Sequence, residues 1–344
     1  MKQKLVKSIA SLLAGAATTL AAGGAYAAAE RTTLTVAYQD SGFPALVKKS
    51  GVLDEAPFDL KWVLLTGPAA NLSALYSGTI DLGHMGDTSL TIEQANAKTE
   101  WTHNKAPLKI IAGWRNDYSP NYAPLVTAVR TSTGIDNVKS LAGRKWGYNF
   151  GGYNYAQHLV SLIKAGTNSK GVEELRFNDG SSSAAAFNAG QSEVFTGAQA
   201  AILDTLRRGD AKILLTDRDT GIPALNVWAA RTEVLADPAK DAALKEFFSR
   251  LSGYWSWHDK HRETVIDTLR STLKLTPERA EFEYRIRSGA FRPFDNDLLA
   301  KERAVADALF DAGAIARKVD VSIGFDARYN GVQKAVPVAQ ADYR

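Results

Sequence analysis

The chain of 344 residues contains no cysteine. That absence excludes a lipid-modified N-terminal cysteine, a disulfide framework, thiolate metal sites and a cysteine nucleophile. Histidine is scarce as well: His84, His103, His158, His258 and His261 are isolated, no HExxH pair occurs, and the one close pair, His258 and His261, sits on a charged helical face. No metal and no cofactor are expected on that basis. A GxSxG nucleophile elbow is missing, and Gly151-Gly152 lacks the Lys-Ser/Thr ending of a phosphate-binding loop. Beyond the N-terminal segment, nothing approaches the ~20 apolar residues of a spanning helix.

What is present begins with Lys2, Lys4 and Lys7, an Ala-rich apolar run over residues 9–22, and Ala25-Tyr26-Ala27. These are the three regions of a secretory signal peptide, expected over residues 1–27, and they imply an exported, soluble protein. Without that segment, 38 basic residues face 37 acidic ones, a formal charge of +1, which removes the electrostatic motive for a nucleic-acid partner. The remaining chain, about 317 residues of a 45% hydrophobic sequence, is long enough for one large or two medium α/β lobes.

Strand and helix patterns alternate. Residues 34–38 (LTVAY), 58–65 (FDLKWVLL), 79–85 (TIDLGHM) and 108–114 read as strands. Helices over 43–50, 69–77 and 90–98 follow the first three after short Gly-, Pro- or hydroxyl-bearing turns. A largely parallel sheet with helices on both faces is expected, with ligand bound beyond the strand ends. Residues 115–124 (RNDYSPNYAP) and Gly221-Ile222-Pro223 read as two hinge crossings around a second αβ set, which includes a helix over 198–208. This divides the chain into lobe 1 (28–124 with 222–330, including C-terminal helices), lobe 2 (125–221) and a tail (331–344).

The segment 144–166 shows most clearly how a site would be built. A strand, Gly151-Gly152, and a helix with Leu159, Leu162 and Ile163 on one side direct backbone N–H groups and a helix dipole at whatever lies above the turn. Similar turns run from Gln39 to Phe43, Thr66 to Ala69 and Gly86 to Ser89. Four such turns suit a small oxyanion held without a dedicated lysine. Arg115 either makes a forked contact to that anion or pairs with Asp117. Asp40 and Asp87 either receive a cationic ligand group or cap helices. Tyr118, Tyr122, Tyr148, Phe150, Tyr153, Tyr155 and Trp228 either cover an apolar ligand tail or belong to the core, whereas Tyr254, Trp255 and Trp257 are expected to pack.

The stretches LTVAYQ (34–39), Gly67-Pro68, GTIDLG (78–83) with Gly86-Asp87-Thr88, SLAGRK (140–145), AAAFNAG (184–190) and KVDV (318–321) occur in an order that resembles the periplasmic solute-binding proteins of nitrate/sulfonate/taurine ABC transporters. The aliphatic sulfonate branch is the nearest match. The resemblance implies a type II periplasmic-binding-protein fold of the α/β class, a hinged cleft, monomeric behaviour, and delivery of a bound sulfonate to an ABC permease in the inner membrane. It places Gln39, Gly67, Pro68, Gly86, Asp87, Thr88, Gly152, Tyr153 and Asn154 on the cleft. Thr196 and Gly197 lie in Val194-Phe-Thr-Gly-Ala-Gln199, which departs from the family pattern where ligand side groups should lie. The ligand class spans alkanesulfonates, taurine, aryl sulfonates, sulfate esters and nitrate, and taurine would call for Asp40 to face its ammonium. A sensory partner that presents the ligand, and an enzyme on the same fold, are the competing readings.

Overall fold

A computed structural model describes residues 31–115 and 122–333. The expected signal peptide (1–27), Tyr118, Asp117 and the last part of the tail lie outside the described residues. The first αβ set runs β1 (Thr33–Tyr38), α1 (Gly42–Ser50), β2 (Asp59–Leu64), α2 (Pro68–Tyr76), β3 (Leu82–Gly86), α3 (Thr88–Asn96) and β4 (Leu108–Arg115). The second runs β5 (Val126–Arg130), β6 (Lys145–Asn149), α4 (Gly152–Ala165), β7 (Glu173–Phe177), α5 (Gly180–Asn188), β8 (Val194–Gly197), α6 (Leu203–Arg207), β9 (Ala211–Thr216) and α7 (Asp217–Thr220). The chain then returns through β10 (Asn226–Arg231) to α8 (Thr232–Ala236), α9 (Pro238–Lys260), α10 (Arg262–Leu273), α11 (Pro277–Arg287), β11 (Ala290–Phe291) and α12 (Asn296–Asp311).

Two sheets result, with strand orders β11-β4-β10-β3-β1-β2 and β7-β6-β8-β5-β9. Neither is wholly parallel. β10 runs antiparallel between β3 and β4, and β5 runs antiparallel to both β8 and β9. These two strands are the ones that emerge from the crossings. They enter their sheets at the rim where the other strands end, so they must point the opposite way.

Local sequence explains where the elements begin. β3 starts at Leu82, later than the pattern 79–85 suggests, because Gly78 adopts φ +74° and Asp81 is used for a lateral tie. The Asp81 N–H donates to the Thr35 carbonyl (2.8 Å) and its carboxylate accepts from the Thr35 N–H (2.8 Å). α5 starts at Gly180 because Asp179 caps it, accepting from the Ser182 N–H at 2.8 Å. The helix expected over 198–208 divides into a 3-10 turn, Gln199–Ile202, and the short α6, with Ile202 off the helical path at φ −118°, ψ 16°.

The first sheet packs on α1, α9 and α10 through an aromatic cluster. Phe43 stands 4.5 Å from Tyr38, 5.0 Å from Tyr254 and 5.8 Å from Trp228. Trp228 is fully buried there, and its indole N–H donates to the Ala37 carbonyl (3.2 Å). Emptying one such ring position costs about 3–5 kcal/mol, enough to fix the sheet against these helices. α12 packs against α3 and α4, and so ties helices of both αβ sets. Among the described residues, no helix is long and apolar enough to cross a membrane.

Candidate functional site

Where the strand ends of the two sheets face each other, a cavity of about 330 Å³ is lined by the first turns of α2, α4 and α5 and by the residues that end β1 and β3. Gln39 and Asp40 after β1, Thr66 and Pro68 after β2, and Gly86 at the end of β3 form one wall. Gly151 to Asn154 at the start of α4, with Asp179 to Ser181 at the start of α5, form the opposite one. A helix start leaves N–H groups without intrahelical partners and carries partial positive charge. Several of them around one cavity suit an oxyanion, and no single lysine is required.

Two glycines allow the walls to meet. Gly67 has φ +79°, and a Cβ there would run into the Asn178 carbonyl across the cleft. Gly152 has φ +62°, and a Cβ would stand 2.9 Å from Ser89 Oγ and 3.3 Å from Pro68. Larger residues would be strained at these angles and would hold the walls apart. Gly86 meets the ring of Tyr153 in the same way. Tyr153 in turn donates its hydroxyl to Asn226 Oδ1 (3.2 Å).

Arg115, Asp40 and the α11 charges on the wall have partners of opposite sign. Arg115 donates to Asp217 at the start of α7 (3.1 Å) and to the Pro223 carbonyl on the return crossing, while Asp117 lies outside the described residues. Burial pushes the Asp217 carboxyl up, and Arg115 opposes that shift. Asp40 caps α1 through the Gly42 N–H (2.7 Å) and takes both terminal nitrogens of Arg287 at 2.9 and 3.3 Å. Burial works against its ionisation, but Arg287 and the Gly42 N–H outweigh it and hold the carboxyl below its usual range. Arg287 also donates to Glu283 (2.8 Å), which accepts from Arg279 (2.9 Å). Arg279, Glu283 and Arg287, all on α11, line the cavity.

Of the residues singled out from sequence, the structure brings Gln39, Asp40, Pro68, Gly86, Arg115, Gly152, Tyr153 and Asn154 together on the wall, with Gly67 at the contact beside it. Others lie elsewhere. Asp87 is fully buried and caps α3, accepting from the Thr88 N–H (2.7 Å), the Thr88 hydroxyl (3.0 Å) and the Leu225 N–H (2.7 Å). Thr88 is buried with it, so both serve the return crossing. Thr196 is buried and accepts from the Trp146 indole (2.8 Å), and Gly197 closes on the ring of Phe195. Trp228 belongs to the core of the first sheet. Phe150 lies beneath the Arg176 guanidinium, 3.3 Å from its ring centre, and Tyr148 stacks on the buried His158 at 4.0 Å.

Sequence reasoning missed the α11 side chains, Asp179, Asn226 and His84. Asp179 had a usable signal, since it ends a strand and opens a helix as the other turns do. The α11 residues had none, because a charged helix more than 200 residues from Asp40 reads as a solvated face. Among the described residues, no group of three or more His, Asp or Glu side chains is placed to hold a metal ion.

No family model and no curated relative matches the chain. Among solved structures it is similar to the alkanesulfonate-binding protein SsuA from Xanthomonas axonopodis pv. citri bound to MOPS, with 20% identity and a TM-score of 0.72 over 87% of this chain and 99% of that one. It is similar also to the periplasmic aliphatic sulphonate binding protein SsuA from Escherichia coli, with 19% identity and a TM-score of 0.70 over 91% of this chain and 96% of that one. A cysteine-to-serine mutant of DszB in complex with biphenyl-2-sulfinic acid shares the fold at 13% identity and a TM-score of 0.56, over 88% of this chain and 99% of that one. The chain therefore has the α/β periplasmic-binding-protein fold.

Proposed function

We propose that this protein is the exported solute-binding component of an ABC importer. Its two lobes, residues 28–124 with 222–330 and residues 125–221, close on a sulfonate or related organosulfur oxyanion, which is then delivered to an inner-membrane permease. The observation that carries this reading is the convergence of three helix N-termini, those of α2, α4 and α5, on one cavity where Asp40 and Arg287 already pair. An anion there is held by main-chain N–H groups and helix dipoles. Likeness in fold to two sulfonate-binding proteins supports the choice of head group. Closure requires contacts made only when the lobes meet. The approach of Gly67 to Asn178 supplies one, and the packing of Phe282 and Ile286 on Ala200 and Leu203 supplies another.

The enzymatic reading draws on the fold shared with DszB. Covalent catalysis would need an activated nucleophile at the cavity. The chain has no cysteine to provide one, and the imidazole on the wall, His84, is pushed down to about 3 by burial, with nearby Asp40 opposing the shift. A thermal-shift panel tests the binding role. An alkanesulfonate should raise the melting temperature by several degrees, because a ligand of the native state stabilises it. A shift with an unrelated solute and none with any sulfonate would overturn the assignment.

A further inference from the structure

His84 is the least satisfied polar side chain on the cavity wall. It is 4% exposed, and neither ring nitrogen has a hydrogen-bond partner of normal length. Tyr38 stacks on the imidazole at 4.1 Å with planes 15° apart, and Trp114 packs at 5.4 Å with planes 26° apart. His84 thus reaches the cavity wall with rings over its faces and both ring nitrogens buried and unpartnered. The side chain of Asn226, on the neighbouring strand, faces the same ring and lines the same wall, and its Oδ1 is already committed to Tyr153.

A phenylalanine would fill this aromatic stack without leaving buried polar atoms unpaired, and orphaned buried polar groups cost stability. A polar ring kept in such a place points to use by a ligand. The turns around the cavity account for an anionic head, but His84 lies two residues inward from Gly86 on β3, deeper than the turn itself. Neutral imidazole offers one donor and one acceptor, the pairing a hydroxyl group satisfies. Asp40 already holds Arg287, so the acidic partner an ammonium would need at this end is engaged.

We propose that His84 and Asn226 bind a hydroxyl group on the ligand chain, so that the cleft prefers a hydroxyalkanesulfonate to an alkanesulfonate of equal size. The inference rests on the sulfonate reading for its head group, while the role of His84 is separable from it. A site built to hydrogen-bond a hydroxyl discriminates strongly against an analogue that lacks one.

The test compares 2-hydroxyethanesulfonate with propane-1-sulfonate by calorimetry on wild type, His84→Phe and His84→Gln. Wild type should bind the hydroxyl compound at least about tenfold more tightly. His84→Phe should lose that preference while melting, without ligand, at or above the wild-type temperature, and His84→Gln should keep part of the preference. Equal affinities in wild type, or a preference that survives in His84→Phe, would overturn the inference. If neither sulfonate binds, the sulfonate reading fails and the hydroxyl preference is judged on glycolate against propionate with the same variants. A His84→Phe protein that melts below wild type without ligand marks His84 as a packing residue and overturns the inference whichever anion binds.

Discussion

Arg287, the last residue of α11, grips Asp40 at the start of α1 with both terminal guanidinium nitrogens, across 247 positions of sequence. The pair fixes α11 to the first sheet and turns the inner face of that helix toward the cavity. The charge of Asp40 is therefore already answered by Arg287.

Asp40→Asn should therefore destabilise the fold and alter ligand choice little. Removing one member of a partly exposed, bidentate pair is expected to cost about 1–3 kcal/mol, measured by urea unfolding. The folded carboxyl titrates below its ordinary value, so its stabilisation is present above the unfolded pKa of about 4 and is lost as pH falls through the lower folded value. The difference between wild type and variant should shrink in acid. Affinities for taurine and for an alkanesulfonate should change by the same factor, and selective loss of taurine would show that Asp40 meets an ammonium.

Glu302 on α12 is buried beside Asp87, and burial together with that neighbouring carboxylate pushes its carboxyl well above the usual range. Burial pushes Asp87 up too, against the three donors that hold it. Because the folded value of Glu302 lies above the unfolded value of about 4.3, its contribution is intact in acid and is lost as pH rises through the folded value. Glu302→Gln should raise the melting temperature by a few degrees near about pH 8 and leave it unchanged near about pH 4. Circular dichroism melts across that range test the sign.

Gly67→Ala places a methyl group against the Asn178 carbonyl in a backbone conformation that suits glycine. Contact between the walls should suffer more than the fold does. Ligand affinity should fall roughly tenfold, about 1.4 kcal/mol, with a smaller change in the ligand-free melting temperature. Calorimetry and a melt on the same samples separate the two effects.

Phe282 packs with Ala200 and Leu203 and stands 5.0 Å from Tyr122, the second contact proposed to form on closure. Phe282→Ala should release ligand faster, with little change in association rate, as expected when a closing contact is removed. Stopped-flow dissociation measures it, and an unchanged release rate would remove α11 from the closing machinery.

Much of the site was legible because helix starts are local events. Gly67-Pro68, Gly86 and Gly152 to Asn154 announce a chain that turns sharply from strand to helix, and four such turns in one alternating pattern must share a rim. What was hidden depends on contacts far apart in sequence. Arg115 reaches Asp217 on α7 and the Pro223 carbonyl on the return crossing, and Arg287 reaches Asp40 from a helix whose charges resemble a wet surface. Trp228 reads as a cleft-edge aromatic until β10 is seen to lie between β3 and β4, where a side chain on that face must be buried. His84 reads as an isolated histidine until the rings stacked on it leave its nitrogens without partners. The antiparallel entry of β5 and β10 was hidden for the same reason, since strand direction follows from where the crossings enter.

The most direct measurement is a calorimetric titration of protein refolded to strip bound solute, against sulfonates, sulfate, nitrate and carboxylates of matched size. The expected result is about one site per chain and a roughly micromolar or tighter Kd for a sulfonate, with sulfate and nitrate at least about tenfold weaker. Silence toward every sulfonate, or tighter binding of a solute without an oxyanion head, would contradict it.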